Sequence, residues 1–236
     1  MDKNLFHELD SVEKKNLGLN LDIGAIEGLK KMPVDVFDGV YLGEVHNEAL
    51  VLCVDVRNFS DFLCSHAEET VFKLIKEFTS NLLSCINQFG YDCSYYKLMG
   101  DGAIVIWDKP VKTAIEEALT IFDLYADFLN EELFSSFDEL TLAGALVVEK
   151  VFKYEISAEL SELKYRDYVG YGINLACRLQ TLAEANELVL NEALINTGNI
   201  PYEIKDSPKI LKDVLLLKGL KDEDRRRVLF YTRTKK

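Results

Sequence analysis

Hydrophobic and polar positions along the first half of the chain alternate between strand-like runs and helical spacing. The apolar run EALVLCVD, Glu48 to Asp55, is rich in branched residues and long enough for a buried strand. Downstream, the segment from Asp61 to Gly90 has apolar residues at helical spacing and ends at the glycine expected after a helix. The residues on its predicted apolar face are Phe72, Ile75, Phe78, Thr79, Leu82 and Ile86.

The stretch YYKLMGDGAIVIWD, Tyr95 to Asp108, predicts a β-hairpin, because two apolar runs are joined by Gly-Asp-Gly. A second amphipathic helix is predicted from about Lys112 to Asn130. The run LTLAGALVVEKVFKYEI that follows is typical of a strand, with a turn expected near Glu149.

The last third of the chain predicts a helix over GYGINLACRLQTLAEA and two strand-like runs, VLLLKGL and RRVLFYTR, that could pair as a hairpin. The whole order is β, α, β-hairpin, α, β, α, β, β. This order predicts an α+β domain with one mixed or antiparallel sheet and helices packed on it. We expect this domain to span residues 48–236, with residues 1–47 as an N-terminal appendage.

Composition narrows the possible partners. The chain has 236 residues, 48% of them hydrophobic, and a formal net charge of −13. Such acidity argues against a nucleic-acid partner, since binding to a phosphate backbone needs a basic face. A small anionic substrate is compatible with this charge if cations are placed locally.

The cysteines and histidines suggest no catalytic site of their own. The five cysteines are odd in number and contain no CxxC pair, which favours reduced thiols in a cytoplasmic protein. No apolar run approaches the roughly 20 residues that a membrane-spanning helix needs, so no membrane partner is expected. The histidines, His7, His46 and His66, are interpreted as surface or packing residues.

Two carboxylates occupy positions where chemistry is possible. Asp55 ends an apolar strand and Asp101 lies at the predicted hairpin tip, so the two acids converge if their strands are neighbours. Paired carboxylates supply the hard oxygen ligands that suit Mg²⁺ or Mn²⁺. Either acid alone is equally typical of an ordinary strand end or turn.

Two further segments carry groups that suit phosphate or ribose. The VRNFSDF segment predicts a tight strand-to-helix junction, and the unpaired backbone N–H groups at the start of such a helix can bind phosphates. Ser60 and Asp61 are equally ordinary N-cap residues. Asn174 and Arg178 are four residues apart and therefore lie on one helix face, where they could reach one ligand or simply be solvated.

Taken together, VDVRNFSDF, KLMGDG and GINLACRL resemble, in order and spacing, the motifs of the catalytic domain of class III adenylate and guanylate cyclases. The resemblance runs from about Val51 to Tyr231. It implies a ferredoxin-like core sheet with helices packed on it, assembled as a head-to-tail homodimer. It also implies conversion of a nucleoside triphosphate to a 3′,5′-cyclic nucleotide and pyrophosphate.

The resemblance implies a role for each motif. Asp55 and Asp101 would bind two Mg²⁺ or Mn²⁺ ions per active site. One ion would help deprotonate the ribose 3′-hydroxyl, and the other, with the amides near Phe59 and Ser60, would hold the triphosphate.

The remaining catalytic groups would come from the other protomer, so that a monomer is inactive. Asn174 would orient the ribose and Arg178 would stabilise charge on the α-phosphate as pyrophosphate leaves.

The base-reading positions of the resemblance fall on Lys97, four residues before Asp101, and Asp167, seven residues before Asn174. A Lys donor and an Asp acceptor complement adenine, which predicts conversion of ATP to cyclic AMP. The same pair matches cytosine nearly as well. A pyrimidine cyclase that makes cyclic CMP or cyclic UMP as a second messenger in bacterial antiphage defence, read by a separate effector, is therefore an alternative. A non-catalytic nucleotide-sensing or dimerisation module is another.

Two positions depart from the pattern of these cyclases. Asn58 stands where a glycine is usual in the first motif, which could alter the phosphate-binding turn. Near the C-terminus, Leu220 stands where a triphosphate-binding lysine is common, and the adjacent Lys221 is assigned that role instead.

Overall fold

The computed structural model describes residues 40–133, 137, 140–158, 161–201, 204, 209–211, 219 and 228–232. The chain divides into two compact units, residues 1–41 with 155–165 and residues 42–154 with 166–236. The described residues of the first unit all belong to strands. The predicted boundary between an appendage and a domain at residue 47 stays a prediction.

The described residues form eight strands and five α-helices. The strands are β1 (Val40–Arg57), β2 (Tyr95–Met99), β3 (Gly102–Trp107), β4 (Thr141–Ala158), β5 (Ser161–Val169), β6 (Glu187–Asn191), β7 (Lys209–Leu211) and β8 (Val228–Thr232). The helices are α1 (Phe59–Ser65), α2 (Glu68–Phe89), α3 (Lys112–Phe128), α4 (Tyr171–Gln180) and α5 (Glu192–Asn196), and a π-helical turn, Leu129–Leu133, continues α3. No helix in these ranges is long and apolar enough to cross a membrane.

The strands form one mixed sheet in the order β2-β3-β1-β4-β6-β8-β7, with β5 paired to β4. The pairs β1/β3, β2/β3, β6/β8 and β7/β8 are antiparallel, and β4/β6 is parallel. The predicted α+β fold class, one sheet with helices packed on it, is confirmed.

Strand β1 is apolar over a long run because both of its faces are covered. Leu50 and Leu52 belong to the hydrophobic layer that contains the buried residues of α2 and α3. Val51 and Cys53 belong to the layer that contains Leu175 of α4. Because side chains alternate along a strand, Asp55 continues the second series and lies on the α4 side of the sheet.

The predicted hairpin is present as β2 and β3. The last paired residues are Met99 and Gly102, so the connection has two residues, Gly100 and Asp101. The backbone angle φ is +69° at Gly100 and is not positive at Asp101, which is the pattern of a type II′ turn. Glycine satisfies this turn without strain, and Asp101 is thereby held at the tip.

Two predicted elements differ from the structure in detail. β1 begins at Val40 rather than at Glu48. The single helix predicted from Asp61 to Gly90 is two helices, α1 and α2, separated at His66 and Ala67. Phe72, which was expected on the buried face, is 68% exposed, because α2 packs through its buried residues Leu74, Phe78, Leu82 and Ile86.

The turn expected near Glu149 was wrong, since β4 continues without a break through this position. The α4 helix starts close to the β4 backbone here. A Cβ atom added at Gly170 would lie 2.9 Å from the Lys150 carbonyl oxygen, and one at Gly172 would lie 3.3 Å from the Glu149 carbonyl oxygen. The polar residues Glu149 and Lys150 thus lie within a continuous strand, at the point where the start of α4 comes close to the β4 backbone.

Near the C-terminus the strand pairing differs from the predicted hairpin. The described partners of β8 are β7, Lys209–Leu211, and β6, a strand that the sequence pattern did not single out. The VLLLKGL run lies outside the described residues apart from Gly219.

Candidate active site

Asp55 lies at the end of the apolar part of β1, opposite Gly102 of β3. A side chain at residue 102 would collide with this site: an added Cβ atom would lie 2.5 Å from the Val54 carbonyl oxygen and 3.0 Å from Asp55 Oδ1. The last glycine of the Gly-Asp-Gly tip therefore provides room for the Asp55 carboxylate, in addition to its part in the turn.

Asp101 lies beside Asp55, as the sequence predicted for acids on neighbouring strands. The Val56 N–H donates to the Asp101 carbonyl oxygen over 3.2 Å, so backbone contacts hold the hairpin tip against β1. Both acids are half-buried and line one cleft of about 310 Å³. We call it the acidic cleft; its lining residues are Asp55, Val56, Arg57, Asn58, Phe59, Ser60, Asp61, Asp101, Gln180 and Thr181.

The electrostatics of the acidic cleft disfavour negative charge on its carboxylates. Burial, together with the nearby charge of Asp101, raises the pKa of Asp55 from 3.8 to about 6. A hydrogen bond from Gln180 Nε2 to Asp55 Oδ2, 3.1 Å long, and the charge of Arg57 act in the opposite direction. Burial also raises the pKa of Asp101. A bound cation would relieve this cost directly.

The donor set of the acidic cleft fits Mg²⁺ or Mn²⁺. Across the described ranges there is no group of three or more His, Cys, Asp or Glu side chains arranged to hold a metal, so the protein offers the two carboxylates of Asp55 and Asp101. Mg²⁺ is commonly bound through one or two carboxylates, with water and substrate phosphates as its other ligands. Two half-buried acids that repel each other at the edge of an open cleft meet that requirement.

The turn after β1 has a left-handed residue at Asn58, the position where the cyclase motif usually has a glycine. Asn58 has φ +64° and ψ +12°, in the left-handed region. Asparagine tolerates this region better than most side chains. The next residue, Phe59, is buried and anchors α1, while Ser60 is exposed at the cleft. The departure at Asn58 therefore leaves the tight turn intact.

Arg57 and Gln180 are cleft residues that the sequence analysis did not identify. Arg57 Nη2 donates to the carbonyl oxygens of Thr181 over 3.0 Å and Gln180 over 3.5 Å, which ties the turn after β1 to the end of α4. Strand alternation could have identified Arg57, because it is two residues beyond Asp55. No sequence signal links Gln180 to Asp55, which is 125 residues away.

Asn174 and Arg178 lie on the exposed face of α4, as their spacing predicted. The opposite face of this helix is buried through Leu175, Ala176 and Leu179. Neither Asn174 nor Arg178 lines the acidic cleft of its own chain. The structure thus brings Asp55, Asp101, Phe59 and Ser60 together and leaves the Asn/Arg pair apart from them.

The two predicted base-reading residues are in direct contact. Lys97 Nζ lies 2.6 Å from Asp167 Oδ2, and Asp167 is 4% exposed. Lys97 pairs with Ile104, which pairs in turn with Cys53 of β1, so Lys97 and Asp55 lie on the same face of the sheet. Lys221, the predicted triphosphate-binding lysine, lies outside the described residues.

The solved structures to which this chain is similar include adenylyl and guanylyl cyclases. The adenylyl cyclase CyaB from P. aeruginosa aligns with a TM-score of 0.64 and 16% identity, covering 82% of this chain and 98% of that one. The guanylyl cyclase Cya2 aligns with a TM-score of 0.62 and 17% identity over 80% and 92% of the two chains. The guanylate cyclase domain of RhGC from Catenaria anguillulae, in complex with GTP, has a TM-score of 0.62 and 13% identity over 82% and 100%.

Sequence comparison finds no match to a protein-family model or to a curated protein. The structural alignments cover most of the chain and nearly all of each cyclase domain. The fold that the resemblance implied is confirmed, and the chain has the fold of the catalytic domains of class III adenylyl and guanylyl cyclases.

Proposed function

We propose that this protein is a nucleotide cyclase that converts a nucleoside triphosphate to a 3′,5′-cyclic nucleotide and pyrophosphate. The observation that carries the proposal is the acidic cleft, in which Asp55 and Asp101 lie together beside the tight turn at Phe59 and Ser60. The same arrangement on a cyclase fold is difficult to explain as chance. Cyclase activity would also explain why the fold keeps two half-buried acids whose charged forms it disfavours.

The proposed reaction needs positioning and positive charge rather than a protein nucleophile. The ribose 3′-oxygen attacks the α-phosphorus, the bond from that phosphorus to the oxygen bridging to the β-phosphate breaks, and pyrophosphate leaves. The 3′-hydroxyl proton passes to solvent. Mg²⁺ or Mn²⁺, two ions per active site, would acidify this hydroxyl and neutralise the triphosphate when bound.

Within the acidic cleft, the side chains of two acids and the backbone of the turn would act on the substrate. Asp55 and Asp101 would hold the divalent ions, and the backbone at Phe59 and Ser60 would contact the triphosphate. Gln180 keeps the Asp55 carboxylate oriented through its hydrogen bond to Oδ2.

We propose that Lys97 and Asp167 read the base, with adenine as the preferred one and cyclic AMP as the product. Lys97 donates to a ring nitrogen and Asp167 accepts from an exocyclic amine. Their direct contact supports a joint role in one binding pocket. Cytosine also presents a ring acceptor beside an exocyclic amine, so CTP is the competing substrate that the assay has to separate.

We propose further that each active site is shared between two protomers of a homodimer. Asn174 and Arg178 are exposed and do not line the acidic cleft of their own chain, which supports their acting on substrate bound to the partner. Arg178 would then stabilise charge on the α-phosphate, and Asn174 would orient the ribose.

The experiment that tests the activity is incubation of the full chain with Mn²⁺ and ATP, GTP, CTP or UTP, one at a time, with detection of the cyclic product by mass. Cyclic AMP as the dominant product supports the proposal as stated. Cyclic CMP or cyclic UMP would contradict the adenine assignment and favour a pyrimidine cyclase. Absence of every cyclic product would contradict the enzymatic function and favour a nucleotide-sensing module.

Mixing inactive variants tests the shared site. Asp55→Ala and Arg178→Ala proteins, each inactive alone, should regain about a quarter of the wild-type activity after full subunit exchange, because half of the dimers then contain one intact site. A mixture of Asp55→Ala with Asp101→Ala is the matched control and should stay inactive, since both changes affect the same half of the site. Failure of the first mixture, with exchange verified, would contradict the shared site.

A further inference from the structure

The Asp167 carboxylate is held from several directions. Tyr95 Oη donates to Oδ1 over 2.7 Å, and the backbone N–H of Tyr168 donates to the same oxygen over 2.8 Å. Lys97 Nζ donates to the other oxygen, Oδ2, over 2.6 Å. We call this group of four residues, Tyr95, Lys97, Asp167 and Tyr168, the Lys97 cluster. Its hydrogen bonds engage both carboxylate oxygens and keep the buried side chain in one orientation.

Tyr95 reaches Asp167 because of its place on β2. Tyr95 and Lys97 are two residues apart on this strand, so both side chains lie on the same face of the sheet. They pair with Ile106 and Ile104 of β3, whose side chains belong to the buried α4 layer. The Tyr95 ring also packs against the Tyr168 ring, with 5.0 Å between centroids and an interplanar angle of 35°.

The Tyr95 hydroxyl affects how Asp167 can recognise a ligand. A carboxylate that is to accept a hydrogen bond from a base must point at that base before binding, because reorienting it on binding costs affinity. The Tyr95 phenol and the Tyr168 amide both donate to Oδ1, which aims the carboxylate from the side remote from Lys97. Removing the phenol leaves the Lys97 ion pair as the main side-chain constraint on the carboxylate.

We propose that Tyr95 is a positioning residue for base selectivity: its hydroxyl orients Asp167 so that bases carrying an exocyclic amine beside a ring acceptor are preferred. This inference rests on the proposed role of Lys97 and Asp167. It adds a residue that acts through Asp167, without contact to the substrate. A site built to hydrogen-bond one ligand group discriminates strongly only while its own polar groups are fixed.

The test is Tyr95→Phe, which removes the hydroxyl and keeps the ring that packs on Tyr168. The matched control is Tyr96→Phe, which changes the adjacent residue on the opposite face of β2, where the ring is about half exposed. The probes are the 3′-deoxy forms of ATP, CTP, GTP and UTP, which lack the attacking hydroxyl and cannot cyclise. Their binding to the full-length protein with Mn²⁺ is measured by calorimetry.

The expected result is a loss in selectivity. Tyr95→Phe should weaken binding of 3′-deoxy-ATP and 3′-deoxy-CTP about tenfold, which corresponds to about 1.4 kcal/mol. Binding of 3′-deoxy-GTP and 3′-deoxy-UTP, whose Watson–Crick edges carry a ring N–H in place of the acceptor, should stay within about twofold of wild type. Tyr96→Phe should leave all four probes within about twofold. An equal loss for all four probes in Tyr95→Phe would overturn the inference, because it would indicate a structural role.

The other outcomes separate this inference from the function on which it rests. If the wild type binds at least one probe and Tyr95→Phe shows the same selectivity among the probes, the inference is overturned and the proposed function stands. A wild-type protein that binds none of the four probes would overturn both.

Discussion

The acidic cleft and the Lys97 cluster lie on the same face of the sheet, yet they differ in whether the protein provides groups that neutralise their carboxylates. In the acidic cleft, Asp55 and Asp101 lie side by side and burial raises the pKa of both. In the Lys97 cluster, the more deeply buried Asp167 contacts a lysine and accepts hydrogen bonds at both of its oxygens.

The difference lies in where the balancing positive charge comes from in each region. The Lys97 cluster compensates the Asp167 charge within the protein, so its geometry does not depend on a bound ligand. The acidic cleft compensates its negative charge only in part, through Gln180 and Arg57, and a bound cation would supply the rest. Mutations that remove charge should therefore have opposite effects on stability in the two regions.

The largest expected effect is on activity, from Asp101→Ala in the acidic cleft. Formation of cyclic nucleotide should fall about a thousandfold or more, equivalent to about 4 kcal/mol in the activation barrier, because one of the two proposed metal ligands is lost. The melting temperature should not fall, because the Val56 contact to residue 101 is made by backbone atoms and survives the substitution, and the removed charge is one that burial disfavours. Product formation and thermal melting are measured on the same preparation.

Asp61→Ala is the matched control for that measurement. Asp61 lines the same cleft and carries the same charge, but it is not assigned to the metal ions. It should keep activity within about threefold of wild type. Full activity in Asp101→Ala would contradict the metal assignment. An equal loss in both variants would indicate that activity depends on the net charge of the cleft and not on Asp101 in particular.

The second effect is a loss of stability in the Lys97 cluster. Lys97→Met keeps the apolar stem but leaves the buried Asp167 carboxylate without its cation. The free energy of unfolding should fall by roughly 2 kcal/mol, less than for a fully buried pair because the Lys97 side chain is 43% exposed. Urea unfolding measures this loss.

The control for this second prediction is Lys112→Met. Lys112 pairs with Glu116 across one turn of α3, and both side chains are at least half exposed. Removing that pair should cost no more than about 0.5 kcal/mol. Equal losses from Lys97→Met and Lys112→Met would remove the contrast between the Lys97 cluster and an ordinary surface pair.

The third effect, smaller than the loss at Lys97, is a gain in stability from Asp55→Asn in the metal-free protein. The pKa of Asp55 is raised to about 6 in the folded state, above its ordinary value of 3.8, so ionisation of this group opposes folding once the pH exceeds both values. Asparagine keeps an oxygen that accepts from Gln180. We expect a gain of about 1 kcal/mol at pH 8, reduced because the carboxylate is only half-buried.

The pH dependence gives this prediction its sign. Below about pH 3, Asp55 is protonated in both the folded protein and the unfolded chain, so the gain should disappear; between about pH 3 and 7 it should grow. Unfolding in urea with a chelator present measures it. A loss of stability at pH 8 would contradict the described electrostatics of the cleft.

Adding Mg²⁺ should reverse the ranking of wild type and Asp55→Asn. At about ten times its dissociation constant, the ion should stabilise the wild type by about 1.4 kcal/mol. The variant lacks one of the two proposed carboxylate ligands and should gain much less. Equal stabilisation of both proteins would indicate that the ion binds elsewhere.

Much of the site was predictable because it depends on local chemistry. The apolar run to Asp55 and the Gly-Asp-Gly turn at Asp101 each specify an element from a few consecutive residues. The convergence of the two acids followed once those elements were taken as neighbours. The Lys97 and Asp167 pair came from the resemblance to cyclases, and no spacing rule would have linked residues 70 apart.

Other features were outside the reach of local reasoning. Gln180 and Arg57 were missed as cleft residues, and Phe72 was expected to be buried although it is exposed. Each of these depends on which face of a helix or strand meets another element, and apolar residues around a helix do not specify that orientation.

Local pattern was sufficient for the buried β1 strand and the β2/β3 hairpin, because backbone sterics and alternation act over a few residues. The order of strands in the sheet, the Gln180 bond to Asp55 and the raised pKa of that acid arise only after distant segments pack. Burial and charge coupling depend on atoms far away along the chain, and only the folded arrangement brings those atoms within range.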